Sequence, residues 1–233
     1  MLIVAVSMAL SLLAPLAPSA VDGCSDVAVV GARGSGQIGY GDQVQAVVDE
    51  VTVGVSELGG TVSSVALDYP AVSISDNFGL ALFNGDYNRS VQTGAANLLA
   101  VLDDLGQRCP GTSIVLVGYS QGSQVVKAAM AGRPPVDRIA SVVLLADPSR
   151  DTLQLGVFRF GNLDGIGALG SEPLAAHIRP LTLDVCALTD AVCSGGGLDF
   201  QSHINGYDTV SAVVLETLLA DVERSLLRYR RLL

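Results

Sequence analysis

An apolar run, Ser113-Ile114-Val115-Leu116-Val117, passes directly into Gly118-Tyr119-Ser120-Gln121-Gly122 and then into a helix-periodic segment. A junction of this kind demands a buried strand turning sharply into a helix. The two glycines leave the turn uncrowded, so the serine between them can be held in a strained, exposed turn. The pentapeptide alone is a weak signal in a chain with 26 glycines, and its position between strand and helix gives it force. The competing explanation is a small-residue turn that packs a helix on a sheet.

The same rhythm of apolar run and helical stretch recurs along the chain, as in a parallel sheet covered by helices on both faces. Five strands are expected, at 27–31, 62–67, 113–117, 139–145 and 180–185, with the near-continuous Val, Ile and Leu content of strands buried on both sides. Helices are expected at 42–57, 90–105, 121–130 and 209–228. The last ends in Arg224, Arg228, Arg230 and Arg231, which reads as a docked terminal helix with a solvated basic tail. The glycine-rich stretches 31–41, 156–170 and 194–197 are expected to be loops.

Residues 1–20 carry no charge, and an apolar run over 2–16 is followed by Ala17-Pro18-Ser19-Ala20. This reads as a secretory signal peptide ahead of a single domain at 21–233, although no Lys or Arg precedes the run. A membrane anchor is the rival, but the run is short for a span and prolines end it. Lipidation at Cys24, behind Gly23, is opposed by the acidic Asp22 and by the distance from the run. A net charge of -10 disfavours nucleic acid and anionic membranes. A secreted monomer without a membrane span in the mature chain is expected.

Four cysteines in an exported chain suggest two disulfides, with three connectivities open. Cys186 and Cys193 are close enough to clip one loop, which leaves Cys24 for Cys109.

A serine nucleophile needs a base and a group that orients it. Of the two histidines, His203 gives the chain order Ser120, Asp190, His203, the order used in α/β-hydrolase sites, whereas His177 precedes the last strand. Asp190 lies between two cysteines whose bond would fix its loop. Asp147, just past a strand in Asp147-Pro148, is the main competitor, with Asp184 and Asp199 behind it. Oxyanion donors are expected from the backbone N–H of Gln121 and from Ser35 in the loop after the first strand. That loop's Gly31, Gly34 and Gly36 do not match G-x-G-x-x-G, so a dinucleotide is not expected. No metal-ligand cluster is visible and no cofactor is expected.

At this point the chain resembles the cutinase family of serine esterases. The resemblance rests on Ala32-Arg33-Gly34-Ser35, on Gly118-Tyr119-Ser120-Gln121-Gly122, on Cys186-x-x-x-Asp190-x-x-Cys193, and on His203 thirteen residues after Asp190. It implies a cutinase-like α/β-hydrolase fold with a five-stranded parallel sheet and no large lid. Ser120 would be nucleophile, His203 base, Asp190 orienting acid, and Ser35 with Gln121 the oxyanion hole. It also implies the disulfides Cys24–Cys109 and Cys186–Cys193. The stretches 158–170 and 194–197 look more like the actinobacterial branch than the fungal cutinases.

Leu198, Phe200 and Ile204 stand near His203 as the rim of an acyl groove, and Phe78, Leu80, Leu82 and Phe83 as an opposite wall; ordinary packing explains both sets as well. The expected activity is hydrolysis of short to medium acyl esters, with an ester or lipid as partner. Phospholipase, thioesterase or acetylxylan esterase activity on the same triad is the alternative within enzymes. A catalytically inactive lipid-binding envelope protein is the alternative outside them.

Overall fold

The computed structural model describes residues 23–74, 85–131, 136–195, 200–207 and 212–230. The expected leader at 1–20, the wall residues Phe78 to Phe83, Leu198, the side chain of Phe200 and the tail Arg231 lie outside the described residues.

Among the described residues, the strands are β1 (Val27–Ala32), β2 (Val62–Ala66), β3 (Ser113–Tyr119), β4 (Ile139–Leu145), β5 (Phe158–Gly161) and β6 (Thr182–Cys186). They form one parallel sheet in the order β2-β1-β3-β4-β6-β5. Six strands therefore replace the five expected. The additional one, β5, lies in the glycine-rich stretch assigned above to loop. It is a four-residue edge strand paired only with β6, with Phe158 exposed, so it lacks the buried apolar run that marks the others.

The helices are α1 (Asp42–Glu57), α2 (Asp86–Arg108), α3 (Gln121–Ala131), α4 (Ala191–Ser194), α5 (Phe200–Asn205) and α6 (Ala212–Arg230). Helix α2 begins a turn before the expected start: the polar Asp86, Asn88 and Arg89 surround Tyr87, which is buried four residues ahead of Val91 on the same stripe.

Strand alternation divides the core in two. Ile114 and Leu116 of β3 join Leu98 and Leu102 of α2 and Val125, Val126 and Met130 of α3 on one face. Val115 and Val117 of the same strand join Val44, Val47 and Val51 of α1 and Val214, Leu218 and Val222 of α6 on the other. Each such side chain, taken from water, contributes about 1.5–3 kcal/mol. The terminal helix is thus docked by its apolar stripe. Cys24 pairs with Cys109 and Cys186 with Cys193, at Cα separations of 5.6 and 5.8 Å.

From β1 the chain runs to β2 on one side, and from β3 it runs to β4 on the other. In an open parallel sheet, the crevice where the winding reverses lies beyond the strand C-termini, here the ends of β1 and β3. Helix α3 leaves β3 there and crosses the end of β1 so closely that a Cβ on Gly122 would stand 1.9 Å from the Ala32 carbonyl oxygen. The obstacle is backbone on both sides and has no room to move. Gly122→Ala is expected to destabilise the protein by about 3 kcal/mol, as overpacking of a rigid contact does. At Gly111 an added Cβ meets nothing within 4 Å, so Gly111→Ala is expected to stay within about 0.5 kcal/mol. Urea midpoints of the two variants against the parent make the comparison.

Candidate active site

Ser120 lies between β3 and α3 with φ +52°, a left-handed conformation that a non-glycine residue adopts only where its surroundings enforce it. The enforcement is visible. The Ser120 N–H donates to the Leu145 carbonyl at 2.9 Å, the Ser123 N–H to the Ser120 carbonyl at 2.9 Å, and the Ser123 hydroxyl sits between the carbonyls of Gly118 and Leu145 at 2.9 and 3.0 Å. Gly118 contributes by absence, since a Cβ there would lie 2.6 Å from the Gly122 carbonyl oxygen.

His203, on α5, places Nε2 at 3.1 Å from Ser120 Oγ and Nδ1 at 3.0 Å from Asp190 Oδ2. The three residues thus stand in one hydrogen-bonded line. The His203 ring stacks on Tyr119 at 5.2 Å between centroids, and the Tyr119 hydroxyl donates to the His203 carbonyl at 2.7 Å. The ring is therefore held by its face as well as by its nitrogens.

Asp190 caps the short helix α4, its Oδ1 accepting the Val192 N–H at 2.8 Å, within the loop closed by Cys186–Cys193. It is fully buried. Burial raises its carboxyl, but the His203 hydrogen bond and charge, the Tyr207 hydroxyl and the Val192 N–H outweigh that and hold it below the usual carboxylate range.

The loop after β1 is fixed by its one charged residue, Arg33. Arg33 donates to the carbonyls of Gln37 and Leu67 at 2.7 and 2.9 Å and to that of Tyr69, while the Tyr69 hydroxyl donates back to the Arg33 carbonyl. The guanidinium also lies over the Tyr69 ring at 4.9 Å. Ser35 is brought to the same cavity as Ser120, and its buried Oγ has no hydrogen-bond partner. Gln121, the first residue of α3, is fully buried with its side-chain Oε1 accepting the Ser90 hydroxyl of α2 at 3.1 Å. Helix-start N–H groups have no partner within the helix, so the Gln121 N–H is a donor of the kind an oxyanion requires.

The cavity measures about 860 Å³ and includes Ser120 and His203 in its lining. Ile74, Pro148, Leu169 and Val192 give it apolar walls, and Ile204, half exposed on α5, belongs to its rim.

The other candidate acids are engaged elsewhere. Asp147 forms a buried ion pair with Lys127 at 2.8 Å and accepts the Ser149 N–H and hydroxyl. Asp184, buried within β6, is paired with Arg150 at 2.8 Å. Asp199 lies outside the described residues. His177 is not among the residues lining the cavity.

Three contributors are not evident from motif and spacing. Tyr119 and Tyr207 act through tertiary contacts that no spacing rule encodes. Gln43 left a trace, a polar residue on the valine stripe of α1. It is buried, accepts from Gln37 Nε2 at 2.7 Å and donates to the Ile204 carbonyl at 2.7 Å, linking the loop after β1 to the helix of His203.

Comparison with known proteins agrees with this architecture. A sequence model of the Cutinase family matches residues 23–215. Carboxylesterase Culp1 of Mycobacterium tuberculosis is 35% identical over 188 residues, covering 79% of this chain and 75% of that protein. A cutinase of Hypocrea jecorina is 30% identical over 208 residues, covering 83% and 68%. Among solved structures, an iodinated complex of acetyl xylan esterase superposes with a TM-score of 0.67 at 25% identity, covering 87% of this chain and 99% of that one. With a family match across most of its length and a mycobacterial relative more similar than the fungal one, this chain belongs to the cutinase family of serine ester hydrolases, on the actinobacterial side.

Proposed function

We propose that the protein is a secreted carboxylesterase that cleaves short to medium acyl esters through an acyl-enzyme formed on Ser120. The observation that carries this is the line Ser120 Oγ, His203, Asp190, with links of 3.1 and 3.0 Å, opening onto an apolar-walled cavity. Export is supported by the leader pattern at 1–20 and by the two disulfides, which persist outside reducing compartments.

Ser120 Oγ attacks the ester carbonyl carbon while its proton passes to His203 Nε2. Negative charge gathers on the carbonyl oxygen, where the Gln121 N–H and the Ser35 N–H and hydroxyl receive it. The tetrahedral intermediate collapses with cleavage of the ester C–O bond, and the proton on Nε2 goes to the departing alkoxide. Water then gives a proton to His203 Nε2 as it attacks the acyl carbon, and the second intermediate breaks the bond from that carbon to Ser120 Oγ while Nε2 returns the proton to Oγ, releasing the acid and restoring Ser120. Asp190 remains ionised throughout, holding the imidazole in the tautomer whose Nε2 accepts.

Acetyl xylan esterase shares the fold, but Ile74, Leu169 and Val192 in the walls of this cavity offer apolar surface that an acetyl group would leave uncovered. The longer acyl chain is therefore the favoured substrate.

Ser120→Ala is expected to lower kcat/KM for p-nitrophenyl butyrate by at least about 10⁴-fold with unchanged melting temperature. Equal activity in both proteins contradicts the nucleophile. On a ladder of p-nitrophenyl esters, butyrate is expected to exceed acetate in kcat/KM by about tenfold, from two methylenes at about 0.8 kcal/mol each. Preference for acetate and for acetylated xylan favours the sugar-ester alternative.

Asp190→Asn is expected to lower kcat by about 10³–10⁴-fold with KM little changed. The same substitution has a stability signature. The folded carboxyl titrates below its unfolded value of about 3.9, so its contribution is fully present above that pH and is lost as pH falls through the folded value. The acid side of a melting-temperature profile is expected to flatten in Asp190→Asn. An unchanged acid limb contradicts the depressed carboxyl.

A further inference from the structure

The Asp190 carboxylate has a second side-chain donor besides the histidine. Tyr207, four residues after His203, is buried, and its hydroxyl lies 2.6 Å from Asp190 Oδ2, the same oxygen that accepts from His203. The direction of this bond is fixed. The Ala187 N–H donates to the Tyr207 oxygen at 2.8 Å, so the phenol's single proton is left for another acceptor. Within reach are the carboxylate and, at 3.3 Å, the disulfide-bonded Cys193 sulfur, a weak acceptor. A charge-assisted bond to the carboxylate is the stronger choice. Burial, and then the Asp190 charge, push the phenol well above its ordinary value, which keeps it protonated and a donor at neutral pH.

We propose that Tyr207 is a positioning residue for the Asp190–His203 pair: seated on the Ala187 N–H, its hydroxyl orients Oδ2 and draws off part of the carboxylate charge that stabilises the protonated imidazole. This rests on the Ser120, His203 and Asp190 assignment above. The geometry leaves the task to Tyr207, because Asp190 is fully buried and water has no access to replace the donor. Among the described residues, the titratable groups in contact with the pair are Tyr207 and, from β3, Tyr119, whose ring packs on His203 at 5.2 Å and on Tyr207 at 5.9 Å. Tyr207→Phe keeps that ring contact while removing the donor to Oδ2 together with the acceptor of the Ala187 N–H, whereas 3-fluorotyrosine keeps both bonds.

The sign follows from charge. Without the Tyr207 proton, more negative charge remains on Oδ2, the imidazolium is better stabilised, and the histidine holds its proton to higher pH. Tyr207→Phe is expected to move both the acid limb of kcat/KM for p-nitrophenyl butyrate and the His203 imidazole titration seen by NMR upward by about 0.5–1 pH unit. kcat is expected to fall about tenfold with KM within about twofold. Site-specific 3-fluorotyrosine at 207 keeps the shape and strengthens the donor, so it shifts the titration downward, and it remains readable if the phenylalanine variant does not fold. Opposite shifts in the two variants support the assignment. Unchanged titrations, or shifts of the same sign, overturn it and leave Tyr207 a packing residue. The NMR titration does not depend on turnover, so a parent protein without Ser120-dependent hydrolysis sinks the esterase reading while this test still decides the role of Tyr207.

Discussion

The close passage of α3 over the end of β1 is the constraint on which the site depends. Because Gly122 stands where a Cβ would be 1.9 Å from the Ala32 carbonyl oxygen, the helix starts directly above the switch point of the sheet. The start of the helix is therefore packed against the backbone of Ala32 and Arg33, and Ser120, just before it, is held at φ +52°. A strained serine persists only if its neighbours over-determine it, and here the Leu145 carbonyl and the Ser123 hydroxyl do so. The two packed cores on either side of the sheet supply the stability against which that local cost is set.

On the other side of the site the organising element is a buried charge. An isolated carboxylate at the position of Asp190 would be costly to desolvate. It is instead met by the Val192 N–H, the His203 ring and the Tyr207 hydroxyl, inside a loop closed by Cys186–Cys193. That surplus of donors depresses the carboxyl and keeps it an acceptor for the imidazole. Two tyrosines then hold the imidazole and the carboxylate from outside, Tyr119 by stacking and Tyr207 by donation. Gln43 ties the histidine helix to the Arg33-anchored loop, so both halves of the crevice are coupled through one chain of hydrogen bonds.

Much of this was legible in the sequence, for physical reasons. Strands buried on both faces betray themselves as continuous Val and Ile runs, so β1, β3 and β4 were found within two residues of their ends. The elbow was legible because its glycines are required by contacts a few ångströms away. The hydrogen bond between Asp190 and His203 was foreshadowed by the spacing of the cysteines around Asp190 and of His203 after it. The short strand β5 was hidden because an edge position asks for little apolar burial, and Phe158-Arg159-Phe160-Gly161 sits among glycines. Tyr207 and Gln43 escaped because their roles arise only when separate elements meet, Gln43 reaching across 161 residues to Ile204. Of the three acyl-groove residues named from sequence, Ile204 lies on the cavity rim, whereas Leu198 and the Phe200 side chain fall outside the described residues.

The central claim is that this geometry makes Ser120 a nucleophile, and covalent capture tests it without reference to any particular substrate. The oxidised protein would be treated with an alkyl fluorophosphonate and the adduct located by peptide mass spectrometry. A single adduct on Ser120, suppressed in His203→Ala, is the predicted result. An adduct on a different residue, or none on a protein that is folded with both disulfides formed, would contradict the account.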